Sequence, residues 1–174
     1  MLQDESSGGN RLPRRGSALA LRIARRFHLV PSPKTHVAAV CYRIQEGKVE
    51  FLLVRTHAGR WTFPKGAIDG DRSAAAAAAR EAYEEAGVRG RVEPRAFDRY
   101  LHSKNSLRPA GREFPVAAHL CRVQGLERPM ESHRDPTWFS PRKAKQRVRK
   151  LRKRKYASEM SRVIDHAVER ITRK

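Results

Sequence analysis

Residues Trp61 to Val88 read WTFPKGAIDGDRSAAAAAAREAYEEAGV. The stretch Trp61-Thr62-Phe63 predicts a short strand, which Pro64-Lys65-Gly66 breaks. Asp69, Gly70 and Asp71 predict a turn. Either Asp71 or Ser73 is placed to cap a following helix by accepting a bond from an orphan backbone N–H. The alanine run from Ala74 to Ala79 is the strongest helix-former in the chain, because alanine gives up no side-chain entropy in a helix. Gly87 stands where a helix C-terminus favours a left-handed residue.

Chemistry gathers at the end of that helix. Glu81, Glu84 and Glu85 stand at i, i+3 and i+4, so their carboxylates share one face. Like charges at that spacing cost helix stability unless a cation sits among them. A hard divalent ion with oxygen ligands, Mg²⁺ or Mn²⁺, is one such counter-ion. The alternative is a solvated acidic face paired with nearby arginines. Arg80, one turn before Glu84, can orient it.

Outward from this core, His36 to Ile44 is mostly apolar and predicts a central strand. Gln45 to Lys48 predicts a hairpin turn into a second strand, Val49 to Arg55. Downstream, Arg91 to Leu101 reads as one strand with a charged face and His102 to Gly111 as a basic loop. Glu113 to Val123 reads as a further strand, in which Pro115 implies an edge or a bulge and His119 a satisfied core residue. Thr137-Trp138-Phe139 predicts a short strand. Pro141 opens a helix with Ala144, Val148 and Leu151 on one side. A terminal helix from Tyr156 or Ala157 to Ile171 carries Met160, Val163, Ile164, Ala167 and Ile171 at helical spacing. Strands on both sides of one helix, then helices at the end, predict an α+β fold: a mixed sheet with helices on both faces.

Residues 1–33 read as a flexible basic tail with a short amphipathic helix at 18–29, ahead of a domain at 34–172. The 174 residues carry 38 Lys+Arg against 18 Asp+Glu, a formal charge of +20. That excess points to a polyanionic partner: a multiply phosphorylated small molecule, or nucleic acid through the basic run Arg142–Lys155 near the C-terminus. Cys41 and Cys121 lie in apolar runs, spaced as buried thiols rather than as a metal site or disulfide framework. No apolar run reaches the roughly 18 residues of a membrane span, and the expected location is cytoplasmic.

The stretch from Gly66 to Val88 closely resembles the signature of the Nudix hydrolase superfamily. That pattern runs Gly, five residues, Glu, seven residues, Arg-Glu, an aliphatic, any residue, Glu-Glu, any residue, Gly, an aliphatic. Gly66, Arg80-Glu81, Glu84-Glu85, Gly87 and Val88 match. Ala82 is smaller than the family prefers, and Arg72 stands where the family has its first glutamate. There, either Asp69 or Asp71 is placed to take over the contact to Arg80. The resemblance implies a Nudix α/β/α sandwich with a mixed β-sheet. It also implies Mg²⁺, or Mn²⁺, held by Glu81, Glu84, Glu85 and the Gly66 carbonyl, with Arg80 supporting the box. Glu84 or Glu85 would act as the base.

Outer motifs resemble the diphosphoinositol polyphosphate phosphohydrolase branch, which also cleaves dinucleoside polyphosphates. They are Ala38–Arg43, Leu52-Leu53-Val54, Arg60-Trp61, Glu84–Gly90, and Arg134 ahead of Trp138-Phe139. The branch implies phosphate contacts at Arg60, Lys104, Arg108, Arg134 and Arg152. Lys65 joins them on the substrate rim, where eukaryotic members commonly have glycine. The expected activity is metal-dependent hydrolysis of a P–O–P bond in a diphosphoinositol polyphosphate or dinucleoside polyphosphate. The alternatives are ADP-ribose, a nucleoside triphosphate or a 5′-triphosphate RNA end as substrate, or a weakened fold serving as a basic RNA-binding module. No oligomeric state follows from the sequence.

Overall fold

The computed structural model describes residues 35–103 and 113–173. The expected N-terminal tail with its helix at 18–29, and the expected phosphate ligands Lys104 and Arg108, lie outside the described residues. In chain order the elements are β1 (His36–Gln45), β2 (Lys48–Arg55), β3 (Trp61–Thr62), β4 (Lys65–Ala67), α1 (Ala74–Ala86), β5 (Val88–Val92), β6 (Asp98–Ser103), β7 (Glu113–Leu126), a 3₁₀ turn (Ser132–Arg134), β8 (Thr137–Phe139), α2 (Pro141–Arg149) and α3 (Arg154–Thr172). The strands form one mixed sheet. Its main path runs β3-β2-β1-β7-β5, with β4 on β1, β6 on β7 and β8 on β2. β1 and β7 pair in parallel, with His36 opposite Val116, and the other pairings are antiparallel.

The period of two along β1 explains the three layers. Val37, Ala39 and Cys41 face α1, packing with Ala77, Ala78, Ala82 and Ala86. Ala38, Val40 and Tyr42 face the other way, onto Ala144 and Val148 of α2 and Met160, Val163, Ile164 and Ala167 of α3. A strand covered on both faces reads as a continuous apolar run, as β1 does. The α/β/α sandwich is thus the one expected. The small Ala82 belongs to this packing: an alanine face lets α1 lie close against the sheet.

Local signals fix the ends of α1. Ser73, not Asp71, is the cap: its Oγ accepts the Ala76 N–H at 3.1 Å. Gly87 ends the helix at φ +65°, and its N–H reaches the Tyr83 carbonyl at 2.8 Å. A Cβ there would also sit 2.0 Å from the Glu127 carbonyl oxygen, so both backbone angle and space demand glycine.

Several expectations need correction. Lys65–Ala67 is not a loop but β4, paired to β1 with Val37 opposite Gly66. Arg91–Leu101 is not one strand. β5 ends at Val92, and β6 begins at Asp98. Pro94 breaks the run, while the N–H groups of Glu93 and Phe97 still donate to β7 at Leu120 and Ala118. Pro115 does lie at a local edge, where β7 has no β1 partner, and marks no bulge. It sits one residue before the β1 pairing begins and faces Leu101 on β6. Leu151 does not join the core side of α2. It lies past the helix end at φ +59° and is 72% exposed. α3 starts at Arg154, earlier than the apolar spacing suggested.

Candidate active site

β4 and α1 bring the box residues into one place. The Arg80 guanidinium is the hub. Its Nε donates to Asp71 Oδ1 and its Nη2 to Asp71 Oδ2, both at 3.1 Å. Nη2 also donates to the Ala67 carbonyl of β4 at 3.1 Å. Nη1 reaches Glu81 Oε1 at 2.8 Å and Glu84 Oε2 at 3.1 Å. Asp71, rather than Asp69, therefore makes the bidentate contact that pins Arg80, and Arg72 is exposed. The Arg80 hydrogen bonds hold the Asp71 carboxyl below its usual range, and those same bonds raise the guanidinium above its own.

Glu81 and Glu85 are buried while Glu84 is half-buried. Burial is the main cause that raises Glu81, with Arg80 opposing it. Glu85 is 2% exposed, and burial pushes its carboxyl up to about 7 against the pull of Lys65 and Arg134. Its Oε1 pairs with Arg134 Nη2 at 2.7 Å, and its Oε2 accepts the Lys65 backbone N–H at 3.3 Å. Arg134 also holds Glu131 at 2.6 Å, and the Glu131 N–H donates to the Glu84 carbonyl at 3.0 Å. The 3₁₀ turn is thereby tied to the end of α1.

Each of the three glutamates meets an arginine: Arg80 pairs with Glu81 and Glu84, and Arg134 with Glu85. No three His, Cys, Asp or Glu side chains form a ready cation cage among the described residues. The donor chemistry nevertheless fits a hard cation. Arg80 takes one oxygen from each of Glu81 and Glu84. The second oxygen of each makes no hydrogen bond or ion pair among the described residues. The Glu81 carboxylate also lies directly over Gly66. A Cβ built there would meet Glu81 Oε1 at 2.1 Å, so backbone and carboxylate approach as only glycine permits.

Beside the box is a cleft of about 420 Å³, to which Arg60, Lys65, Gly66 and Ala67 contribute. Burial lowers the Lys65 ammonium from its ordinary value, with Glu85 opposing. Of the expected phosphate ligands, only Arg60 and Lys65 line this cleft among the described residues. Arg134 is committed to Glu85 and Glu131. Arg152 is turned into the protein, donating to the Val148 carbonyl at 2.8 Å and the Trp61 carbonyl at 2.6 Å. Burial brings its guanidinium down to about 10. The basic run of Arg142–Lys155 spans α2, the turn after it and the start of α3, with Lys145 paired to Asp165 and Lys155 to Glu113.

Sequence reasoning missed the other face of the cleft: His36, His57, His102 and Phe114. Phe114 stacks at a tilt on His36, centroids 4.0 Å apart, and meets the edge of His102 at 5.4 Å. Burial, reinforced by the Lys65 charge, brings His102 down to about 3, so its ring is neutral. These rings come from β1, β6, β7 and the loop between β2 and β3, and no spacing along the chain announces them.

The NUDIX domain matches residues 34–160. The chain belongs to the NUDIX domain family. Within this family it is similar to rat diphosphoinositol polyphosphate phosphohydrolase 2, 39% identical over 61 residues, which is 34% of each chain. Human diphosphoinositol polyphosphate phosphohydrolase 3-alpha is also 39% identical over 61 residues, 34% of this chain and 37% of that one. The matches span only about a third of these relatives' length. The fold is shared with the NUDIX domain of Shewanella oneidensis NrtR complexed with ADP ribose, at TM-score 0.59 and 19% identity over 88% of this chain and 98% of that one. It is also shared with a C. elegans Ap4A hydrolase binary complex, at TM-score 0.64 and 20% identity over 82% of this chain and all of that one. No helix among the described residues is long and apolar enough to cross a membrane.

Proposed function

We propose that this NUDIX chain is a divalent-metal-dependent hydrolase that cleaves a P–O–P bridge in a phosphorylated small molecule, with residues 34–172 as the catalytic domain. The substrate class is that of the partial relatives and the fold neighbour: a diphosphoinositol polyphosphate or a dinucleoside polyphosphate. The observation that carries the reading is the Glu81 carboxylate seated over the Gly66 backbone, with Glu84 tied to it through Arg80 and Glu85 against the Lys65 N–H, beside a cleft that presents Arg60 and Lys65. A location in the cytoplasm fits the two buried thiols Cys41 and Cys121.

Glu81, Glu84 and Glu85, with the Gly66 carbonyl, would hold Mg²⁺ or Mn²⁺. When bound, such an ion neutralises phosphate charge and lowers the pKa of a water. The protein's own groups do the rest. Arg60 and Lys65 receive phosphate oxygens and orient the bridge. Glu84 or Glu85 accepts a proton from the attacking water. Water oxygen bonds to phosphorus, and the bridging oxygen leaves with the departing phosphate. Arg80, fixed by Asp71, holds Glu81 and Glu84 at their stations before substrate arrives.

The test is Mg²⁺-dependent hydrolysis across a panel: a diphosphoinositol polyphosphate, diadenosine penta- and hexaphosphate, ADP-ribose, nucleoside triphosphates and a 5′-triphosphate RNA. Glu85→Gln and Glu84→Gln are assayed in parallel. Cleavage of the first two classes that either substitution lowers by orders of magnitude supports the reading. Turnover unchanged in both would overturn the site, and silence across the panel would overturn the activity.

A further inference from the structure

A second pocket, of about 270 Å³, is lined by Tyr42, Arg91, Glu93, Pro94, Leu120 and Arg122. It lies at the other end of β1 from the cleft. His36 lines the cleft, and Tyr42 stands six residues further along the strand, roughly 20 Å at the usual rise. Register sets three of the lining residues in a row across neighbouring strands. Arg91 of β5 is directly opposite Arg122 of β7. Arg122 is in turn directly opposite Tyr42 of β1. Leu120, two residues before Arg122 on the same face, belongs to the core and adds an apolar wall. Gly90 lets β5 close on β7 at this point, since a Cβ there would lie 2.6 Å from the Arg122 carbonyl oxygen. The two guanidiniums are thus carried on paired strands, not on loops.

Like charges directly opposite each other across a ladder cost stability. Nothing among the described residues offsets that cost: neither Arg91 nor Arg122 makes an ion pair, a hydrogen bond or a ring contact there. Other arginines of the chain do find carboxylates, as Arg43 finds Glu50 and Arg162 finds Asp98. Glu93 is the one carboxylate lining the pocket among the described residues, and Arg170 holds it at 2.7 Å. Tyr42 is 5% exposed, and its hydroxyl bonds to no described residue. The pocket therefore presents two uncompensated cations and a further donor on one row.

We propose that this pocket binds a phosphate dianion, free or as the head of a small ester, at a site separate from the cleft. A carboxylate has one charge and one edge, which a single guanidinium satisfies. A phosphate carries close to two charges near neutral pH and has oxygens enough to take a fork from each side. Leu120 and Pro94 leave an apolar wall for a short carbon chain. The site needs no catalysis and is independent of the hydrolase reading.

The test is an amide NMR titration of the full chain with orthophosphate and, separately, glycerol 3-phosphate. It is run without metal in 0.15 M salt, where charges beyond about 8 Å are largely screened. The Gly90 and Val123 amides report the pocket, and the Gly66 amide reports the cleft. The pocket amides should shift saturably. Arg91→Ala and Arg122→Ala should each weaken that binding about tenfold or more, the loss of one charge-assisted fork, and leave the Gly66 response unchanged. Arg91→Lys keeps the charge without the fork and should lose most of the same affinity. Arg128→Ala removes an exposed arginine outside the pocket and should change neither response. Tighter binding of glycerol 3-phosphate would mark an ester as the ligand, and orthophosphate binding at least as tightly would mark the free ion.

Pocket amides that never saturate would overturn the site. Equal weakening by Arg128→Ala and Arg91→Ala would overturn it too, since it would show only general attraction to the +20 chain. If an alanine variant fails to fold, Arg91→Lys and the unaltered chain still decide. Pocket binding in a chain that hydrolyses nothing would defeat only the hydrolase reading. Hydrolysis without pocket binding would defeat only this site.

Discussion

Asp71 grips Arg80 with both carboxylate oxygens, each at 3.1 Å, from a position one residue before the arginine that replaces the first glutamate of the box pattern. The support that glutamate would give to Arg80 has moved along the chain rather than vanished. Arg80 in turn bridges Glu81 and Glu84. Removing Asp71 should therefore disturb the metal site at one remove. Asp71→Ala should lower Mg²⁺ affinity or turnover by roughly 10- to 100-fold, the usual effect of losing a partner behind a ligand. Arg72→Glu should change little. A Mg²⁺ titration of activity in both variants checks this. Full activity in Asp71→Ala with a gain in Arg72→Glu would show that the support has not moved.

Gly66→Ala should abolish turnover with the fold intact. The added methyl would lie 2.1 Å from Glu81 Oε1. Glu81 is buried and held by Arg80, so its carboxylate cannot step aside without breaking that bond. Circular dichroism close to that of the parent, together with lost Mg²⁺-dependent hydrolysis, is the expected pair of results.

Glu85 makes the metal-free protein pH-sensitive. Its folded pKa is raised from 4.5 to about 7. Between those values the folded state binds more protons than the unfolded one, so stability falls as pH rises. Below pH 4.5 the contribution is complete, and it is lost as pH passes about 7. At about 1.36 kcal/mol per pKa unit the loss is at most roughly 3 kcal/mol. Urea melts in chelator at pH 5 and pH 8 should show this loss, and Glu85→Gln should flatten the difference. An unchanged pH dependence in that variant would place the effect elsewhere.

Arg152 and Arg60 should separate by phenotype, although both were expected to bind phosphate. Arg152 satisfies the Val148 and Trp61 carbonyls from a half-buried position. Arg152→Ala leaves those groups without their donor and should cost about 1–3 kcal/mol per unsatisfied group, read as a lower Tm. Arg60 lines the cleft. Arg60→Ala should raise KM several-fold with a smaller change in Tm. The reverse pattern would return Arg152 to the substrate.

The sequence by itself determined the box. A strand, a turn, a capped alanine helix and a glycine stop are written in residues close enough to interact through backbone geometry alone. The same holds for the shared face of Glu81, Glu84 and Glu85, and for the apolar stripe of α3. It also determined that β1 is buried twice, since its run has no polar alternation. Tertiary structure decided what depends on register between distant strands. The parallel pairing of β1 with β7 brings His36 beside Phe114, and β6 brings His102. It decided that Arg134 turns to Glu85 and Arg152 to Trp61, because a long basic side chain goes to whichever acceptor the fold buries near it. It also broke the expected strand at Pro94 and left Leu151 in solvent, where the chain must turn between α2 and α3. Spacing along a chain reports neighbours one turn or one pleat away, and the walls of the cleft are assembled from residues tens of positions apart.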